Sequence, residues 1–78
     1  MHSHESLLSL EQNHLTFFYD ARSLRMDAIA AFLDSEKVTL LERLIQERAY
    51  ITLGGDGLFV HVAKMAYEKR LPILGLNF

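Results

Sequence analysis

The spacing of apolar residues changes period along the chain, and each change marks an element. Residues 15–19, Leu-Thr-Phe-Phe-Tyr, are aromatic and β-branched and read as a short strand. Asp20 follows as a turn or N-cap residue. Over residues 21–33 the spacing lengthens. Leu24, Ala28, Ala31 and Phe32 recur at helical steps, with Ile29 and Leu33 widening the stripe. Asp34 and Ser35 break that helix, and Ser35 is the expected N-cap of a second over residues 36–48. Its apolar side is Leu40, Leu41, Leu44 and Ile45; Glu42, Arg43, Glu47 and Arg48 form its solvated face. Residues 49–53 read as a strand that stops at Gly54-Gly55-Asp56-Gly57. Helical spacing resumes at Leu58 and runs to about Arg70, through Leu58, Val62, Met65 and Ala66, until Leu71-Pro72 ends it. Residues 73–76 are apolar throughout and read as a further strand.

The predicted order is β-α-α-β-α-β. Strands that are apolar throughout belong in a sheet covered on both faces. A crossover as long as residues 54–72 joins parallel strands. The expected fold is therefore α/β, three-layered (α/β/α), with a small, mostly parallel sheet. Residues 1–14 are mostly polar with a short Leu7-Leu8-Ser9-Leu10 run, and are expected to be a flexible N-terminal tail or a weak helix. Residues 15–78 would form the α/β domain.

Composition narrows the function classes. The chain has 78 residues, so it is one small domain or part of a larger one. Half of the residues are hydrophobic, more than so short a chain can easily hide, which points to a partner surface, a homo-oligomer or a missing C-terminal part. A net charge of -2 gives no support for nucleic-acid binding. The absence of cysteine excludes disulfides, thiolate catalysis and Cys-based zinc sites. No apolar stretch suits a membrane span and the N-terminus lacks a secretory pattern, so a cytoplasmic location is expected.

The chemistry concentrates at Gly54-Gly55-Asp56-Gly57. Glycines let backbone N–H groups approach a ligand unobstructed. A helix N-terminus adds unpaired N–H donors and partial positive charge, which suits a phosphate. Asp56 would repel a bare phosphate, but it suits a group that takes a proton or holds a metal ion bridging phosphates. The same four residues also make a tight turn with Asp56 capping the next helix.

The surrounding residues carry a resemblance. Residues 51–64, Ile-Thr-Leu-Gly-Gly-Asp-Gly-Leu-Phe-Val-His-Val-Ala-Lys, resemble the strand, loop and helix of the NAD kinase family. There the loop reads Gly-Gly-Asp-Gly-Thr, often followed by Phe-Leu-His-Ala-Ala-Arg. The family then has Pro-(Ile/Leu/Val)-Leu-Gly-(Ile/Val)-Asn, matched by Pro72-Ile73-Leu74-Gly75-Leu76-Asn77. Diacylglycerol and sphingosine kinases share the loop but fit its neighbours less well.

The resemblance implies half of an NAD kinase-like N-terminal domain. It also implies transfer of a phosphoryl group from ATP to the 2′-hydroxyl of the adenosine ribose of NAD, giving NADP, with a divalent metal, usually Mg2+. Asp56 would be the catalytic base. Gly54, Gly55, Asp56, Gly57 and Asn77 would bind NAD or phosphate, and His61 and Lys64 could reach the nucleotide. His61 is otherwise an ordinary helix residue, and Lys64 otherwise a solvated partner of Glu68.

Leu58 departs from the family threonine and removes a hydroxyl beside the phosphates. The family motifs expected after Asn77 are also missing. The expectation is a truncated NAD kinase-like chain with little or no activity alone. The alternatives are a non-catalytic fragment or interaction module of this family, or a diacylglycerol or sphingosine kinase-like fragment. His2, His4 and His14 read as incidental histidines rather than a metal cluster.

Overall fold

A computed structural model of the chain describes residues 6–77. Its elements are β1 (Leu7–Gln12), β2 (Leu15–Asp20), α1 (Met26–Leu33), α2 (Glu36–Leu44), β3 (Ala49–Leu53), α3 (Asp56–Lys69) and β4 (Ile73–Leu76). The strands form one four-stranded sheet in the order β1-β2-β3-β4. β1 pairs antiparallel with β2, while β2–β3 and β3–β4 are parallel. The sheet is thus mostly parallel and the fold α/β.

Burial alternates along the inner strands, as the two-residue period of a strand requires. Leu15, Phe17 and Tyr19 of β2 pack with Ala49, Ile51 and Leu53 of β3 on one face, against Ile29 and Phe32 of α1 and Val38 of α2. Phe17 is fully buried and meets Phe32 edge-on, with ring centroids 5.9 Å apart and planes at 76°. That geometry favours the positive ring edge against the negative ring face. The opposite face carries Phe18, Tyr50, Thr52 and Gly75 and is covered by α3, through Phe59 and the buried Val62 and Ala66. Helices therefore lie on both faces.

Several sequence expectations need correction. Residues 7–12, expected within the tail or a weak helix, form β1. A lone polar segment with three leucines shows little periodicity, but here every residue of β1 has a partner on β2, from Leu7↔Asp20 to Gln12↔Leu15. Asn13 takes a left-handed φ of 58° in the two-residue turn, a conformation that asparagine tolerates. His2 and His4 lie outside the described residues.

α1 starts at Met26 rather than near Ala21. The Asp20 carbonyl accepts the Ser23 and Leu24 N–H groups (2.9 and 3.1 Å), and its carboxylate accepts the Arg22 N–H (2.8 Å). These bonds close a turn, so Asp20 is a turn residue and not an N-cap. α2 ends at Leu44, well before Arg48. The His14 ring bonds the Ile45 carbonyl, and the Ala49 N–H donates to His14 O (3.1 Å). Residues 45–48 therefore leave the helix and lead the chain to the start of the β2 ladder at Ala49. Of the apolar side expected for α2, Leu40 and Leu44 are exposed, and Val38 is the buried residue. Ser35 occupies the N-cap position, but its hydroxyl donates to Phe32 O (2.6 Å) rather than capping α2.

Candidate functional site

The parallel strands β3 and β4 end side by side, in the register Leu53↔Leu76. The crevice beyond the carboxyl ends of such strands is where α/β sheets bind ligands. Here it is a cleft of about 650 Å³ lined by Thr52, Gly54, Gly55, Asp56, Phe59, Gly75, Leu76 and Asn77. Gly54 N–H donates to Leu76 O (3.0 Å), tying the loop to the end of β4.

The loop is shorter than the sequence suggested. α3 begins at Asp56, with Gly55 as its N-cap, two residues before the expected Leu58. Asp56 and Gly57 thus belong to the first helical turn. The first bond of the helix runs from Phe59 N–H to Gly55 O (3.1 Å). The N–H groups of Asp56, Gly57 and Leu58 consequently have no acceptor within the helix. Asp56 is exposed and makes no side-chain capping bond, contrary to its simple reading as a helix cap. It lines the cleft from the first turn of α3.

Two close approaches shape the walls. A Cβ on Gly54 would lie 3.0 Å from Leu58 Cδ2, so the leucine at the family threonine position folds back over the loop. A Cβ on Gly75 would lie 2.7 Å from Phe59 Cδ1 and 3.4 Å from Thr52 Oγ1. A side chain at residue 75 and the Phe59 ring in its present place exclude each other.

Four of the residues expected from the sequence to form the site, Gly54, Gly55, Asp56 and Asn77, line this cleft together. Gly57 sits beside Asp56 but turns outward and is exposed. His61 lies further along α3 and Lys64 further still; neither lines the cleft. Lys64 instead borders a shallow groove with Phe59, Val60, Ala63, Tyr67 and Glu68. Thr52, Phe59, Gly75 and Leu76 were not singled out from the sequence. The strand period puts Thr52 and Gly75 on the α3 face, but only their pairing across β3 and β4 makes them neighbours. Among the described residues no three His, Cys, Asp or Glu side chains gather into a metal site. Nor is any helix there long and apolar enough to cross a membrane.

Comparison with known proteins agrees with the family resemblance. The chain is similar to the NAD kinase of Campylobacter lari, 34% identical over 71 residues, which are 90% of this chain and 25% of that protein. It is similar to the NAD kinase of Lawsonia intracellularis, 38% identical over 45 residues (58% of this chain, 16% of the relative). It is also similar to that of Gemmatimonas aurantiaca, 48% identical over 40 residues (47% and 14%). The chain therefore spans at most a quarter of the length of these relatives. No family model matches it, and neither does any solved structure.

Proposed function

From the relation of this chain to the NAD kinase family, we propose that the cleft binds NAD and a nucleoside triphosphate, and that the unit serves phosphoryl transfer to the 2′-hydroxyl of NAD. The observation carrying this reading is the placement of Asp56. It is an exposed carboxylate at the N-terminus of α3, beside the glycine loop, at the carboxyl end of a parallel strand pair. Phosphate oxygens accept from the free N–H groups of residues 56–58. Gly54 and Gly55 let the backbone approach, and the Asn77 amide orients the substrate. The ribose hydroxyl gives its proton to the Asp56 carboxylate as its oxygen bonds the γ-phosphorus, and the bond from that phosphorus to the β-γ bridging oxygen breaks to release the diphosphate. A positioned carboxylate in such a transfer is worth about 10²–10⁴-fold in rate.

A divalent ion fits these residues only as part of the nucleotide. Magnesium is commonly held by one or two carboxylates together with phosphates, and Asp56 is the carboxylate among the described residues lining the cleft. Bound in that way, the ion would neutralise phosphate charge.

A second reading, a non-catalytic module that docks through its surface, is favoured by Leu58 lying over the loop and by the exposed Leu40, Leu44 and Tyr67. The two readings separate in an assay of NADP formation from ATP and NAD. The catalytic reading expects at most weak turnover from a chain that spans a quarter of its relatives, and expects Asp56→Asn to lower it by about 10²-fold or more. Equal rates for the two proteins remove Asp56 from the mechanism, and the module reading expects no turnover from either.

A further inference from the structure

Thr52 carries a hydroxyl that the fold does not use. It sits in β3, its side chain lies on the α3 face, and the residue is only 1% exposed. Its Oγ1 has no hydrogen-bond partner among the described residues. A buried hydroxyl without a partner is costly, and valine would fill the same β-branched shape without that cost. The position of the group is equally specific. Thr52 is paired with Gly75 on β4, and its Oγ1 is 3.4 Å from where a Gly75 Cβ would stand. The space that a side chain at residue 75 would take is filled by the Phe59 ring, with the Thr52 hydroxyl beside it. All three residues line the cleft, together with Asp56 and Asn77.

We infer that the Thr52 hydroxyl is a ligand-binding group of this cleft, hydrogen-bonded to a sugar hydroxyl of the bound nucleotide when the Phe59 ring shifts off Gly75. This rests on the nucleotide-binding reading above and adds to it a residue that selects for the ribose. The chemistry favours a sugar hydroxyl over a phosphate. A threonine hydroxyl both donates and accepts, as a sugar hydroxyl does. Among the side chains lining the cleft there is no cation to balance a phosphate beside Thr52, and the Asp56 carboxylate repels one. Phe59 is half-buried and lines the cleft, so its ring is the movable element between Oγ1 and the ligand.

The test uses the full chain with Thr52→Val and Thr52→Ser, titrated calorimetrically with NAD and with inorganic tripolyphosphate, a probe lacking ribose. Thr52→Val is expected to weaken NAD binding about five- to tenfold, the worth of one neutral hydrogen bond. Thr52→Ser should keep the wild-type affinity, and neither variant should change tripolyphosphate binding. Thr52→Val should melt at or above the wild-type temperature, because it removes an unpaired buried hydroxyl. NAD binding unchanged in Thr52→Val overturns the inference and leaves the nucleotide reading standing. Equal weakening for NAD and tripolyphosphate overturns the ribose assignment, and a lowered melting temperature in Thr52→Val shows the hydroxyl to be used by the fold and overturns it too. A wild-type chain that binds neither NAD, ATP nor tripolyphosphate overturns the nucleotide reading, and this inference with it.

Discussion

Phe59 and Gly75 occupy one another's space: the Phe59 Cδ1 atom stands 2.7 Å from the position of a Gly75 Cβ. The contact joins the first turns of α3 to the last strand and forms the inner wall of the cleft. Cδ1 lies near the root of the side chain, so the ring moves off residue 75 only at a cost in packing. Gly75→Ala is therefore expected to displace the ring and destabilise the protein by about 1–3 kcal/mol, the usual range for overpacking. Urea unfolding followed by circular dichroism measures this. A change below a few tenths of a kcal/mol would mean that α3 shifts freely against β4.

Leu58 offers a test in the opposite direction. Its side chain lies against Gly54 at the edge of the loop. Leu58→Thr shortens that side chain and puts a hydroxyl at the start of α3. Affinity for ATP is expected to rise about fivefold, the worth of one added hydrogen bond. Calorimetric titration of both proteins decides it, and unchanged affinity would show that residue 58 does not face the phosphates.

The sheet face under α1 and α2 depends on Phe17, which is fully buried. Phe17→Ala removes its edge contact with Phe32 and leaves a cavity, at a cost of about 3–5 kcal/mol. A domain of this size has little more stability than that. Far-ultraviolet circular dichroism at 25 °C is expected to show a largely unfolded chain. Native secondary structure with an unchanged melting temperature would contradict the packing described.

Asp20 should govern part of the acid behaviour. Hydrogen bonds from the Arg22 side chain and backbone, and a further one from the Ser6 side chain, hold its carboxyl at about 2, below the ordinary 3.8. A depressed carboxyl adds stability above its unfolded value, and that addition is lost as the pH falls from 3.8 through about 2. Wild-type melting temperatures should exceed those of Asp20→Asn near pH 5, with the difference closing over that interval. A difference independent of pH between 5 and 2 would rule out this carboxylate as the source.

The element types from Leu15 onward, and the loop after β3, were legible because each has a local cause. Alternating or continuous apolar residues define the strands, three- and four-residue spacing defines the helices, and glycine punctuates. Pro72 likewise marks the start of β4 correctly. The candidate site was legible to the extent that Gly54, Gly55, Asp56 and Asn77 stand in two motifs at a set spacing, and the same cleft contains all four.

What the sequence determined by itself, then, was the α/β class, the kinship to NAD kinases and the position of the acidic glycine loop. The tertiary structure decided the rest. β1 exists because β2 offers it a complete ladder, an interaction with no trace in the periodicity of residues 7–12. α2 ends at Leu44 because pairing with β2 recruits the chain at Ala49, which outweighs a helical preference of a few tenths of a kcal/mol per residue. Thr52, Phe59 and Gly75 come from three separate elements, and they meet only because β3 and β4 are in register beneath α3. Local patterns record what each segment prefers, whereas contacts between distant segments are set by which faces meet once the sheet has formed.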